Sequence, residues 1–427
     1  MKKILLVTDV PPSQKYTAGI ALEQLCRNIP LDSLLIYTAS SRYVDQSISP
    51  EFETVIRATD LKPREGYRNC DRRKLPLFLA LFAYRFLKER WNAVCAKMLL
   101  KRILRFAEPH DIGIVWCVLQ GQTMVRIAAP LADALNAKLY VQVWDSLNWW
   151  LLNHHVDPIS RRWLNQLFDD TLKRADGCAT ASDHMNELYT QKYGTRCVPL
   201  VHSRLQSTVL PPDSNFACPD KVTIGFAGQL YAQDAFHALI HMLEFVKWEV
   251  AGKKIEIYMF GQNHEWYSKT YSNIKFLGWR GQDELIPSLR QFDVLYMPYT
   301  FDLKFKETMM TSFPSKLVAY LTAGRPVLYH GPDYSSVFST LTKAKASAGM
   351  CTKLTRSAIY NALYAIITNE QKRFDAVVNG HKLVLEKFTI EVQSELFKQL
   401  FSMDMNGLDS SVPLENTKSH QHLDAAA

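Results

Sequence analysis

The chain has no stretch of about 18 apolar residues free of charge, so the sequence predicts no membrane-crossing helix. It has no Cys-x-x-Cys pair: the eight cysteines Cys26, Cys70, Cys95, Cys117, Cys178, Cys197, Cys218 and Cys351 lie far apart and read as reduced, mostly buried thiols of a cytosolic protein. There is no Gly-x-Ser-x-Gly elbow, which argues against a serine hydrolase of that type, and no internal repeat or long low-complexity tract. His154, His155 and Asp157 are too close in sequence to share a face and lack a third ligand at a convincing spacing, so no metal site is expected. The opening Met1-Lys2-Lys3 has the charge of a leader, but its apolar run stops at Asp9 and reads as a first buried strand.

What is present is an ordinary globular composition, 47% hydrophobic and 22% charged, over 427 residues, a length that suits two domains. The net charge of +8 is concentrated: Lys62 to Arg105 holds 13 basic residues against Glu65, Asp71 and Glu89, enough to account for the whole excess. Bulky apolar residues lie among those charges, from Leu77, Phe78, Leu81 and Phe82 to Tyr84, Phe86, Leu87 and Trp91. Residues 75–105 therefore read either as a helix lying on an anionic membrane surface or as one packed on its own sheet with a solvated basic face. Nucleic acid is not expected as a partner, because no recognised motif or stacking platform accompanies the charge.

Apolar runs at Lys3–Thr8, Leu34–Thr38, Ile112–Trp116 and Leu139–Val143, separated by helical stretches, have the rhythm of a parallel sheet covered by helices on both faces. Pro199 to Asp220 breaks it with Pro211, Pro212 and Pro219. A second series follows, with strands at Val222–Ala227, Ile255–Phe260, Ile274–Leu277, Val294–Met297 and Val327–Leu328, helices at Ala235–Val250, Asp283–Gln291 and Pro314–Ala323, and a helical region from Ser357 to Met403. This predicts two Rossmann-like, doubly wound α/β domains, 1–205 and 221–385, joined by a linker at 206–220. A final helix at 386–403 and a disordered tail at 404–427 follow. A ligand should sit between the domains, at the carboxyl ends of both sheets.

Residues 312–330 carry the most information. Ser312 can cap a helix, Pro314 suits its first turn, Leu317, Tyr320 and Leu321 form an apolar face, and Gly324 with Pro326 ends it before a buried strand. Free N–H groups at such a helix start can hold a phosphate. The segment Phe313-Pro314-Ser315-Lys316 through Gly324-Arg325-Pro326-Val327 resembles the donor site of retaining family four of the GT-B glycosyltransferases. Ile224–Gly228, Phe276–Trp279, Phe292–Tyr299 and Ala175–Ser182 match further family segments in the same order.

The resemblance implies a hexosyltransferase-type enzyme that moves a sugar from a nucleotide-sugar donor to a glycan or lipid-linked acceptor, as in polysaccharide biosynthesis. It implies retention, no metal and no cofactor, the nucleotide-sugar being a substrate. Enzymes of the other major glycosyltransferase fold hold a metal with Asp-x-Asp, a tripeptide this chain does not contain. The implied fold is GT-B, with the last helix crossing back to the first domain, and the implied location is the cytoplasm or the inner face of the membrane. Carried over to this chain, the donor site comprises Gly19, Gly228, Gln229, Gly278, Trp279, Arg280, Ser312, Phe313, Pro314, Ser315 and Lys316, with Asp145 as the catalytic polar contact to the sugar.

The family pattern is incomplete. Its ribose-binding Glu falls on Ala319, the partner Glu on Thr311, and its two diphosphate-neutralising cations on Gln229 and about Asp234. Lys304, Lys306, Lys316 and Arg325 are the candidate replacements for the cations, and Glu307 for a sugar contact. A non-catalytic GT-B scaffold or partner subunit and a nucleotide-sugar epimerase are the alternatives.

Overall fold

The computed structural model describes residues 2–14, 17–40, 48–67, 75–261 and 265–401. Cys70, the basic residues Arg68, Arg72, Arg73 and Lys74, the side chains of Leu77 and Phe78, and the expected tail 404–427 lie outside the described residues.

The first domain is built on a seven-stranded sheet of β1 (Lys3–Thr8), β2 (Leu34–Ala39), β3 (Ile56–Thr59), β4 (Ile112–Val118), β5 (Lys138–Val143), β6 (Gly177–Thr180) and β7 (Cys197–Pro199). Its strands are all parallel, in the order β3-β2-β1-β4-β5-β6-β7. β1 shows why: Leu5 and Val7 enter the core on one face while Ile4 and Leu6 enter the core on the other. Burial on both faces is what a sheet sandwiched by helices requires of its strands. The second sheet contains β8 (Lys221–Ala227), β9 (Glu249–Val250), β10 (Lys253–Phe260), β11 (Ile274–Phe276), β12 (Val294–Pro298), β13 (Val327–His330) and β14 (Gly349–Cys351). Its order is β11-β10-β8-β12-β13-β14, parallel throughout except for β9, which pairs antiparallel with β10. Strand order reverses between β1 and β4 and between β8 and β12, which opens a crevice at the carboxyl end of each sheet.

The helix expected over Ala235–Val250 stops earlier, as Gln233–Phe245. Lys247 and Trp248 adopt φ of 53° and 60°, turning the chain into β9. The helical region from Ser357 is three helices, Arg356–Thr368, Glu370–Lys387 and Ile390–Phe401. Its first break is fixed by Asn369, whose side chain accepts the Lys372 N–H at 2.9 Å and caps the second helix. The short strands β3 and β14 lacked a sequence signal, and β7 adds one strand beyond that read at Ala175–Ser182.

The last helix lies on the first sheet. Phe397 meets Trp116 with ring centroids 5.2 Å apart, and Phe401 meets Tyr140 at 4.5 Å. Close approach depends on Gly177, where a Cβ would stand 2.8 Å from the Tyr140 ring and 2.9 Å from Leu400. Residues 200–220 bridge the domains and are tied to the second one: the Leu210 and Asp213 N–H groups donate to the carbonyls of Thr322 and Gly324, each at 2.9 Å.

Candidate functional site

The helix of the 312–330 segment runs Ser315–Thr322, with Pro314 at its cap position. Ser312 does not cap it; its hydroxyl donates instead to the Asp145 carboxylate at 2.5 Å. The carbonyls on either side of this bond are also occupied, Thr311 O by the Ser182 hydroxyl at 2.6 Å and Ser312 O by the Ser336 hydroxyl at 2.5 Å. The N–H groups of Phe313, Ser315 and Lys316 have no partner among the described residues. Three donors thus stay open at the positive end of a helix dipole. The other end closes on Gly324, whose φ of 63° suits a residue without a Cβ and whose N–H donates to Leu321 O at 3.0 Å.

Lys316 folds back from this helix onto the end of β8. Its Nζ donates to Gln229 O at 3.0 Å and sits 4.3 Å from the centroid of the Phe226 ring. A carbonyl and a ring face are weak company for an ammonium, and among the described residues no carboxylate forms an ion pair with it. Burial without a counter-charge pushes its pKa down to about 7. Gly228, at φ of 91°, leaves the space beneath: a Cβ there would lie 3.6 Å from Lys316 Cε. Tyr320, one turn along the same helix, fixes the strand end by accepting the Ala227 N–H at 2.8 Å.

Of the other candidate cations, Arg325 and Lys304 have carboxylate partners and Lys306 an aromatic ring. Arg325 donates to Phe292 O at 2.6 Å and pairs with Asp213 at 2.8 Å and Asp293 at 3.4 Å. It precedes β13, at the opposite end of the sheet from the crevice. Lys304 pairs with Asp302 at 3.1 Å on the surface, and Lys306 lies over the Tyr334 ring at 5.2 Å. Asp234, near where the family carries a lysine, accepts from the Phe301 N–H at 2.7 Å and the Thr300 hydroxyl at 3.1 Å. Ala319, where the resemblance puts the family's glutamate, is buried.

Asp145 follows β5 and faces the second domain. Burial raises its carboxyl pKa, and the Ser312 hydrogen bond opposes the rise. Beside it Ser146 and Asn148 both donate to Glu307, the latter at 2.9 Å, so Glu307 joins the site through the first domain rather than through a family spacing. Tyr231, which no motif marked, and Tyr299, the last residue of the Phe292–Tyr299 segment, stand close enough for the Asp145 charge to help raise their phenol pKa values after desolvation, the larger cause.

On the far side of β8, Gly278 adopts φ of 73° and its carbonyl accepts the Gly261 N–H at 3.0 Å. This turn presents Trp279 with 65% of its surface exposed, while Arg280 stacks on Phe260 at 5.5 Å and donates to Trp279 O at 3.1 Å. At Gly19 a Cβ would stand 2.8 Å from Ser13 Cβ and 2.9 Å from Pro11 O, so the packing of its own loop already favours a residue without a side chain. His154 stacks on Trp150 at 4.0 Å, and Asp157 caps helix Pro158–Arg174.

The crevice of the first sheet holds a buried ion cluster. Lys62 Nζ lies 2.7 Å from Asp9, 3.3 Å from Glu65 and 3.4 Å from Gln120 O, joining the ends of β1 and β4. Glu65 also accepts the Thr123 N–H at 2.7 Å.

No protein-family profile and no curated sequence matches the chain. Solved structures do. Sucrose-phosphate synthase from Thermosynechococcus elongatus is similar over 94% of this chain and 100% of its own, with a TM-score of 0.65 and 11% identity. Anabaena HepE in complex with UDP-glucose is similar over 94% and 99%, at 0.59 and 13%. The lipopolysaccharide outer core galactosyltransferase WaaB is similar over 94% and 99%, at 0.60 and 12%. The fold is GT-B. Identity this low speaks to architecture; in it the open helix start, Lys316 and Asp145 lie where the two domains meet.

Proposed function

We propose that the chain is a glycosyltransferase that moves a sugar from a nucleoside-diphosphate sugar to a glycan or lipid-linked acceptor. One observation carries this reading: the Lys316 ammonium, without a carboxylate partner among the described residues, stands beside three open N–H groups at a helix start. A diphosphate supplies the charge that such a site lacks. HepE, on the same fold, was solved with UDP-glucose, and WaaB is a galactosyltransferase, which supports a nucleotide-sugar as the ligand.

In the proposed reaction the glycosidic bond to the diphosphate breaks, its electron pair leaving with the phosphate oxygen, as the acceptor hydroxyl oxygen bonds to the anomeric carbon and its proton passes to the released diphosphate. Negative charge grows on the leaving phosphate, and Lys316 with the N–H groups of Phe313, Ser315 and Lys316 would stabilise it without a metal. Asp145 and Glu307 would orient the sugar hydroxyls, Trp279 would stack on the base, and the first domain would hold the acceptor. Transfer with retention follows only from the sequence resemblance.

Titration calorimetry with nucleoside diphosphates and nucleotide-sugars, followed by an acceptor screen, tests the reading. Micromolar binding of one nucleotide that falls on Lys316→Ala is the expected result; absence of binding across the set would leave a scaffold. The buried Ala319, where the family has a glutamate, favours that second reading if binding occurs without turnover. Donor interconversion without acceptor would identify an epimerase.

A further inference from the structure

The helix Leu75–Ala107 is 33 residues long, and among its described side chains only one side is buried. Ala96, Leu99, Ile103 and Ala107 enter the core of the first domain. Glu89, the one acidic residue of the helix, is buried and paired with Arg126 at 2.5 Å. On the outer side Tyr84, Leu87, Trp91, Val94 and Met98 are all exposed, Leu87 at 66% and Trp91 at 62%. Their spacing of three, four, three and four residues lines them up as one stripe about 21 Å long.

Cations flank this stripe. At 100° per residue, Arg90, Lys97 and Lys101 border one edge and Lys88 and Arg102 the other, with no acidic residue on the outer face of the helix. The apolar patch continues onto the neighbouring helix Pro158–Arg174 through Trp163, 45% exposed and 6.0 Å from Arg90. No helix among the described residues is long and apolar enough to cross a membrane.

We propose that this outer face is a docking surface for an anionic lipid bilayer, with the apolar stripe set into the acyl boundary and the flanking cations against headgroup phosphates. The spacing alone would also suit a coiled-coil seam with a second copy. Charge decides between the two, because positions beside such a seam would bring Arg90, Lys97 and Lys101 against cations of the same sign. An anionic surface complements both edges at once. Docking of this kind is independent of whether the cleft transfers sugars.

Flotation of the full chain with vesicles of neutral phosphatidylcholine, and of the same lipid with about 30% phosphatidylglycerol, tests the proposal. The expected result is association with the anionic vesicles and at least roughly tenfold weaker association with the neutral ones. Each basic residue near the surface is worth roughly fivefold in affinity, so Arg90→Gln with Lys97→Gln and Lys101→Gln should cost on the order of a hundredfold. Leu87→Ser with Trp91→Ser should abolish association. All these side chains are exposed, so the melting temperature should hold and a folding defect would be visible separately. Failure to bind either vesicle, equal binding to both, or unchanged binding by both variants would overturn the proposal. So would a concentration-dependent dimer that Leu87→Ser with Trp91→Ser dissolves.

Discussion

Ser312 of the second domain donates to Asp145 of the first at 2.5 Å, making the segment proposed to hold the phosphate and the catalytic candidate two ends of one interdomain hydrogen bond. With Ser182 on Thr311 O and Asn148 on Glu307, it ties the two domains together beside the open N–H groups. Ser312→Ala should loosen that closure and raise the Asp145 pKa further, because the hydrogen bond favours the carboxylate. A larger radius of gyration in X-ray scattering would register the opening. An unchanged radius, together with an unchanged carboxyl titration by NMR, would show that the contact has no such role.

Lys316 predicts a pH dependence. Its folded pKa of about 7 lies below that of the unfolded chain, so between about 7 and the ordinary lysine value the unfolded state binds more protons. Stability of the ligand-free protein therefore rises with pH across that window, and Lys316→Met removes the rise. Ligand binding runs the other way. A bound diphosphate restores the proton, so affinity should fall about tenfold per pH unit above about 7 while a proton is taken up. Calorimetry in buffers of different ionisation heat measures the uptake. Lys316→Ala should weaken binding by about 1.5–3 kcal/mol, and an affinity constant across pH in the parent protein would remove Lys316 from the site.

Trp279 is exposed and carries little of the fold, so Trp279→Ala should leave the melting temperature within about a degree. If a base stacks on it, nucleotide affinity should fall by about 1–3 kcal/mol while inorganic diphosphate binds as before. Equal losses for both ligands would contradict a stacking role.

Phe401 is fully buried between Trp116, Tyr140 and Phe397. Phe401→Ala should cost about 3–5 kcal/mol by leaving a cavity under the returning helix. Thermal unfolding should show the first domain destabilised most. Gly19→Ala should destabilise the Pro11–Ser13 loop without changing donor affinity, since the glycine's space is already filled by that loop.

The local code was readable wherever a residue's own chemistry sets the backbone. Lys3–Thr8 is a strand because it is apolar on both faces, and the helix before Gly324 ends there because the chain needs a positive φ. The length of helix Gln233–Phe245 was not readable, since Lys247 and Trp248 give no sequence warning of their left-handed turn. Short edge strands such as β3, Ile-Arg-Ala-Thr, take their structure from the neighbour they pair with rather than from their own pattern.

By itself, the sequence determined two Rossmann-like lobes and the helix that starts after Pro314, because periodicity and helix-end signals are local and each residue reports them in place. Only the tertiary structure decided which side chains stand beside that helix start. Lys316, Lys306, Lys304 and Arg325 are equivalent as letters, yet folding gives Arg325 two aspartates, Lys304 one, Lys306 an aromatic ring, and Lys316 a ring and the Gln229 carbonyl beside the open N–H groups. A charge is defined by what surrounds it, and for Lys306, Lys316 and Arg325 those surroundings come from distant chain segments.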